Sequence, residues 1–241
     1  MKRLFPLFAA FSWLTPTVVL AQSVPARNQP PNVPDLSGPW QIIDSKHEIR
    51  DIDGNLPPMT PQALETYQRH LAARAAGDVD FDTMAQCVPP GVPRIMTIER
   101  PFRIVQGQNH YLMLFNWNHA VRVVYLGRDH FEGIGSQYLG QSVGRWDGDT
   151  FVVHSNAFKD VTVLDDAGVP HSEDFEVTER YTLSQDGATM RVDIEFRDPR
   201  VFTRPWATRL AFERLPATTI IEEDYCLKRL GIDSLDPDKR P

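Results

Sequence analysis

The sequence predicts an all-β domain with antiparallel strands, a sandwich or a barrel, preceded by an N-terminal extension that holds one helix. Three observations predict it. From Phe102 onward apolar residues recur with a period of two. The alternating runs are short, evenly spaced and divided by turn residues such as Asp147-Gly148, Asp166-Ala-Gly168 and Gln185-Asp-Gly187. Only Thr60-Pro61 gives a strong helix start, with Thr placed to cap and Pro at the first helical position.

Taken in order, residues 1–21 read as a cleaved secretory signal. Met1-Lys2-Arg3 is basic, Leu4 to Leu20 carries no charge, and Ala21 is a small residue at the expected cleavage point. Pro6 and Pro16 interrupt the run, which argues against a transmembrane anchor, and no membrane insertion is expected. Residues 22–39 carry five prolines, Pro25, Pro30, Pro31, Pro34 and Pro39, and read as an extended tether. The extension proper spans 40–100. Trp40–Ile43 can form a strand, and a helix is expected over about 61–76, with Leu64, Tyr67 and Leu71 on one face and Gly77 as its stop. Cys87 to Pro93 is a rigid connector.

The β domain spans 101–228. Its expected strands are Phe102–Gln106, His110–Trp117, Val121–Leu126, Phe131–Gly135, Thr150–Ser155, Phe175–Leu183, Thr189–Arg197, Thr208–Leu215 and Thr219–Cys226. In Met190–Phe196 the alternation is clean, with Met190, Val192, Ile194 and Phe196 facing in. Residues 229–241 form a tail.

Charge excludes some partners. Loss of residues 1–21 removes Lys2 and Arg3 and no acid; 25 basic residues less two leaves 23 against 32 acidic, a net charge of −9. With no basic cluster, nucleic acid is not an expected partner. Cys87 and Cys226 are the two cysteines. In an oxidising compartment such a pair suggests one disulfide, the alternative being two buried free thiols. Neither C-x-x-C nor a His-rich ligand spacing is present, so no metal is expected. Without a dinucleotide glycine fingerprint or a P-loop, no cofactor is expected either.

Candidate functional residues are polar side chains that share a face with apolar ones. Glu179 alternates with Phe175, Val177 and Tyr181; Glu223 with Ile221 and Tyr225; Arg122 with Val124 and Leu126; Arg214 with Leu210 and Phe212. A carboxylate in an apolar cavity suits general acid or base work, and a paired internal network without chemistry is the competing reading. His119, just ahead of the Arg122 strand and just after Trp117-Asn118, is the histidine of first interest. Gly140-Gln-Ser142-Val-Gly144 matches the nucleophile elbow of serine hydrolases, with Asp165 or Asp166 and His171 following in order. That motif needs a strand, a turn and a helix, whereas a turn and a strand follow here.

Several stretches resemble one family of exported bacterial proteins of unassigned function. They are Cys87-Val-Pro-Pro-Gly-Val-Pro-Arg94, Asn118-His119-x-x-Arg122, Gly127-Arg-Asp-His130, Gly140-x-Ser-x-Gly-Arg-Trp-Asp-Gly-Asp-Thr150, His171-Ser172, Glu179-Arg180, Asp198-Pro199, Pro205-Trp206, and Glu223 with Cys226. The resemblance covers roughly 60–228 and implies a lipocalin-like barrel with a cavity. It implies no activity. Gln141 and His154 depart from the pattern, which usually has His and Asp at those places.

The leading expectation is a periplasmic or secreted, cofactor-independent enzyme acting on a small hydrophobic or aromatic molecule: a lyase, isomerase, cyclase or hydrolase. Glu179, Glu223 or His119 would move the proton. Tyr111, Trp117, Trp146, Tyr181 and Tyr225 would line the cavity, with Arg122 and Arg214 orienting the ligand. A non-catalytic carrier of the same kind of molecule is the alternative. A third reading is an assembly factor with an exposed Trp206.

Overall fold

The computed structural model describes residues 32–45, 47–222 and 226. The signal at 1–21, most of the tether, the tail, Glu223 and Tyr225 lie outside them. Nine strands close one barrel in sequence order: β1 (Gly38–Ile42), β2 (Phe102–Gln106), β3 (His110–Phe115), β4 (Val121–Leu126), β5 (Gln141–Asp147), β6 (Thr150–Asn156), β7 (Glu176–Leu183), β8 (Thr189–Arg197) and β9 (Trp206–Arg214). β1 lies between β2 and β9, so the first strand of the extension completes the barrel wall. No helix among the described residues is long and apolar enough to cross a membrane.

The helix α1 (Pro61–Ala75) forms where expected, and the Thr60 side chain accepts the Ala63 N–H. Its inward residues are Ala63 and Tyr67; Leu64 is exposed. β8 keeps the expected alternation, with Met190, Val192, Ile194 and Phe196 all fully buried. Trp206 is not an exposed docking residue. It is 3 % exposed and packs on Phe196 and Phe202, because position 206 falls on the inward face of β9.

Four strand expectations are corrected. Phe131–Gly135 is a loop, turned by Gly133 at a φ of +71°. The strand expected to end at Trp117 stops at Phe115. Trp117–His119 then form a tight turn, with Asn118 and His119 in the left-handed region. The described residues of Thr219–Cys226 are not a strand. Side chains hold that segment instead: Arg103 donates to the Thr219 carbonyl (2.6 Å), and the Asn116 amide donates to the Glu222 carbonyl (3.0 Å).

The fourth correction is β5, absent from the expected strands because the residues after Gly144 read as a turn. Gly140, with a φ of +65°, leads into the strand. At Gly144 a Cβ would come within 2.6 Å of the Phe151 ring and 2.8 Å of Val124, so the ring occupies the space that any side chain would need. The expected turn at Asp147-Gly148 does join β5 to β6.

The ladder is antiparallel except at one seam. β4 and β5 run parallel, and their register covers only Val124–Leu126 against Ser142–Gly144. Residues 127–140 cross over the barrel to make this possible, where a hairpin would have kept the strands antiparallel. The first half of β4 is therefore left without a β5 partner. That gap in the wall positions the site described below.

Candidate functional site

Alternation placed Arg122, Glu179 and Tyr181 on inward faces, and the structure brings all three together inside the barrel. Glu179 is 0 % exposed and Arg122 2 %. Arg122 Nη1 donates to Glu179 Oε1 (2.9 Å), and Nη2 donates to Glu179 Oε2, a bidentate pair. Nη2 also donates to Ser155 Oγ (2.9 Å), and Nε donates to Ser142 Oγ (3.0 Å). The thioethers of Met96 and Met113, both at 4.0 Å, meet the remaining Nη1 proton. Every N–H of the guanidinium thus has a partner.

Tyr181 completes the carboxylate by donating its hydroxyl to Glu179 Oε1 at 2.7 Å. Burial, and then the neighbouring Glu179 charge, push the Tyr181 hydroxyl well above its usual pKa, so it stays protonated. Burial opposes the Arg122 charge, but Glu179 more than offsets it and raises its pKa. The two charges are thus paired with each other and with neighbouring polar groups. This arrangement matches the paired internal network that competed with the acid/base reading.

Around this unit the barrel is filled by side chains, as narrow barrels are. Tyr111, Phe151 and Tyr181 pack in series at tilted angles, with ring centroids 4.6 Å and then 6.1 Å apart. Trp146 donates its indole N–H to the Tyr111 hydroxyl at 2.8 Å and lies against Phe151. Tyr111, Trp146 and Tyr181 therefore belong to one packed aromatic cluster.

The other expected residues lie apart. Arg214 stands over the Trp40 ring at 4.3 Å and donates to the carbonyls of Ser37, Asp35 and Gly187, clamping the segment before β1 to the β7–β8 turn. Trp117 and His119 sit in the turn tied to the disulfide, where the Asn118 amide donates to the Cys87 carbonyl (3.2 Å). Cys87 and Cys226 are bonded, as the sequence suggested.

The hydrolase motif does not assemble. Ser142 lies in β5 and shares its hydroxyl with Ser155 (2.8 Å) and Arg122. His171 is bound to Thr162 (2.6 Å) and to the Ser172 carbonyl. Asp165 accepts the backbone N–H groups of Ile49 and Val169. Each is held by other partners.

The parallel seam opens a groove of about 450 Å³. Its walls are Pro89, Val121, Val123 and Tyr125 on one side and Phe131, Ile134, Tyr138 and Leu139 of the crossing connection on the other. Arg122 and Ser142 form its floor, so the groove ends on the buried network. Phe131 meets Tyr125 edge-on at 4.9 Å, and the Arg128 guanidinium lies 3.4 Å above the Phe131 ring. Sequence reasoning missed this site. Its apolar residues on β4 are on the outward face, and the wall opposite was taken for a strand.

A second cavity, of about 570 Å³, lies where β1 parts from β9, lined by Asp165, Thr208, Glu48 and Arg50 among others. Burial raises the Asp165 pKa, and its backbone donors pull against that rise. Thr208 there donates to the Arg50 carbonyl at 2.6 Å. These polar groups hold the 44–54 segment to the barrel. Among the described residues no group of three or more His, Cys, Asp or Glu side chains is arranged to hold a metal ion. No family model matches the chain, and no curated protein sequence does.

Proposed function

We propose that the protein binds a small hydrophobic or aromatic molecule in the β4–β5 seam groove and does not chemically alter it. One observation carries this reading. The groove is apolar and aromatic, while the charged groups beneath it are fully satisfied by one another. Binding sites of this type are mostly apolar with a few polar groups at one end. A catalytic Glu179 would need a free oxygen within reach of the substrate, and both of its oxygens are taken. For Glu179 the acid/base reading is therefore the weaker one. The basic, then uncharged, leader at residues 1–21 and the Cys87–Cys226 bond support an exported, periplasmic or secreted carrier.

The neutral aromatic dye N-phenyl-1-naphthylamine tests it, since its fluorescence rises in apolar sites. The wild-type protein is expected to bind the dye at a single saturable site. Val123→Trp fills the groove from the outer face of β4 and is expected to weaken binding about tenfold or more, a difference of about 1.4 kcal/mol. Its melting temperature should stay close to that of the wild type, because Val123 is outside the core. Equal binding by both proteins would reject the groove.

A further inference from the structure

The connection that walls the groove is fastened to the barrel by two imidazoles. His130, in the 127–140 connection, and His154, on β6, place Nε2 and Nδ1 2.8 Å apart, with ring planes inclined at 74°. One proton fits between these nitrogens. A neutral pair keeps an N–H···N bond, and so does a singly protonated pair. When both rings are imidazolium, two donors and two positive charges face each other and the bond is lost.

Little around the pair would hold that second charge. His130 Nδ1 is buried with no hydrogen-bond partner among the described residues. The acids nearby are Asp129 on the same connection and Glu176 on β7, the latter 3.9 Å from the Arg197 guanidinium on β8. On β5, Val143 lies opposite His154 in the ladder. Burial first, and then the His154 charge, lower the His130 pKa, and Glu176 and Asp129 only partly oppose this.

The next residue carries the effect to the groove. Phe131 donates its N–H to the Gln141 side chain at 3.1 Å, and the Gln141 amide donates to the Ile134 carbonyl at 3.3 Å. Phe131, Ile134 and Gln141 all line the groove.

Resting on the binding reading above, the geometry points to a pH-sensitive latch: the His130–His154 bond holds the 128–134 wall against the barrel at neutral pH, and its loss in acid opens the groove and releases the bound molecule. The direction follows from proton linkage. A docked His130 takes up a proton less readily than an undocked one. Docking is therefore favoured above the ordinary histidine pKa of about 6.5 and weakens as the pH falls below it.

His154→Gln tests the latch, since it keeps a neutral hydrogen-bonding partner that cannot take a second charge. The readout is the hydrogen-exchange protection of the Phe131 amide, corrected for the intrinsic rate at each pH. Between pH 7.5 and pH 5 the wild type is expected to lose about tenfold or more of this protection, and His154→Gln to lose clearly less, since only burial then lowers the His130 pKa. Parallel losses in both proteins, or none in the wild type, would overturn the latch without use of any ligand. Naphthylamine-dye affinity should fall over the same range in the wild type and fall clearly less in the variant. Dye affinity that does not follow the Phe131 protection would overturn the release step. A protein that binds no dye at any pH would reject the binding reading, and the release with it, while the Phe131 protection still decides the latch.

Discussion

Arg122→Met is expected to destabilise the fold by about 3–5 kcal/mol in urea unfolding, the usual result of leaving one partner of a buried ion pair uncompensated. Methionine matches much of the volume of arginine and sits well beside Met96 and Met113, so packing accounts for little of the loss. The loss comes from Glu179, 0 % exposed, which would keep only the Tyr181 hydroxyl as a donor. Ser142 and Ser155 would still bond to each other. The double variant Arg122→Met, Glu179→Leu removes both charges and is expected to recover about half of the loss or more, because buried ion pairs are often replaceable by packed apolar residues. If the double variant is no more stable than Arg122→Met, the pair is not the coupled unit described above. This separates an internal structural network from an acid/base site, which would be kept for chemistry and not for balance.

The second large effect concerns the Cys87–Cys226 bond. The cysteines are 139 residues apart in sequence, so the bond encloses nearly the whole barrel. On the chain-entropy account a loop of that length contributes about 5 kcal/mol. The bond also ends a small cluster. The Cys226 N–H donates to the Asn118 side chain at 3.4 Å, and the Asn118 amide donates back to the Cys87 carbonyl at 3.2 Å. Reduction is thus expected to free the segment after β9 and to loosen the Trp117–His119 turn with it. A reductant, or the Cys87→Ala, Cys226→Ala variant, should lower the urea midpoint by several tenths of the wild-type value. An unchanged midpoint would show that the side-chain bonds of Arg103 and Asn116 hold that segment unaided.

The alternation of β7 and β8 was legible because one face of each strand meets the core and the other meets water. The same rule found Arg122, Glu179 and Tyr181, whose polar groups interrupt apolar faces. It could not say that they bond to one another, since residues 122 and 179 meet only through barrel closure. Arg214 obeyed the alternation but sits at the end of β9, where the inward face gives way to the clamp on Ser37 and Asp35. β5 was hidden because the residues after Gly144 read as a turn, and the reason for its glycines lies in the rings of Phe158 and Phe151, which no local pattern reveals. The His130–His154 pair has no ligand-like spacing and arises only where the 127–140 connection crosses β6. Its groove depends on the one parallel strand pair, which follows from the path of that connection and not from any local pattern.

On the binding reading, a small apolar molecule sits at the β4–β5 seam, outside the buried ion-pair network. Amide chemical-shift mapping during a titration with N-phenyl-1-naphthylamine at pH 7.5 tests it most directly. The largest shifts are expected at Val121, Val123 and Tyr125 and across Phe131 to Gln141, with small ones at Glu179 and Tyr181. Shifts centred instead on Ile49, Asp165 and Thr208 at the β1–β9 seam, or on the barrel interior around Glu179, would contradict it.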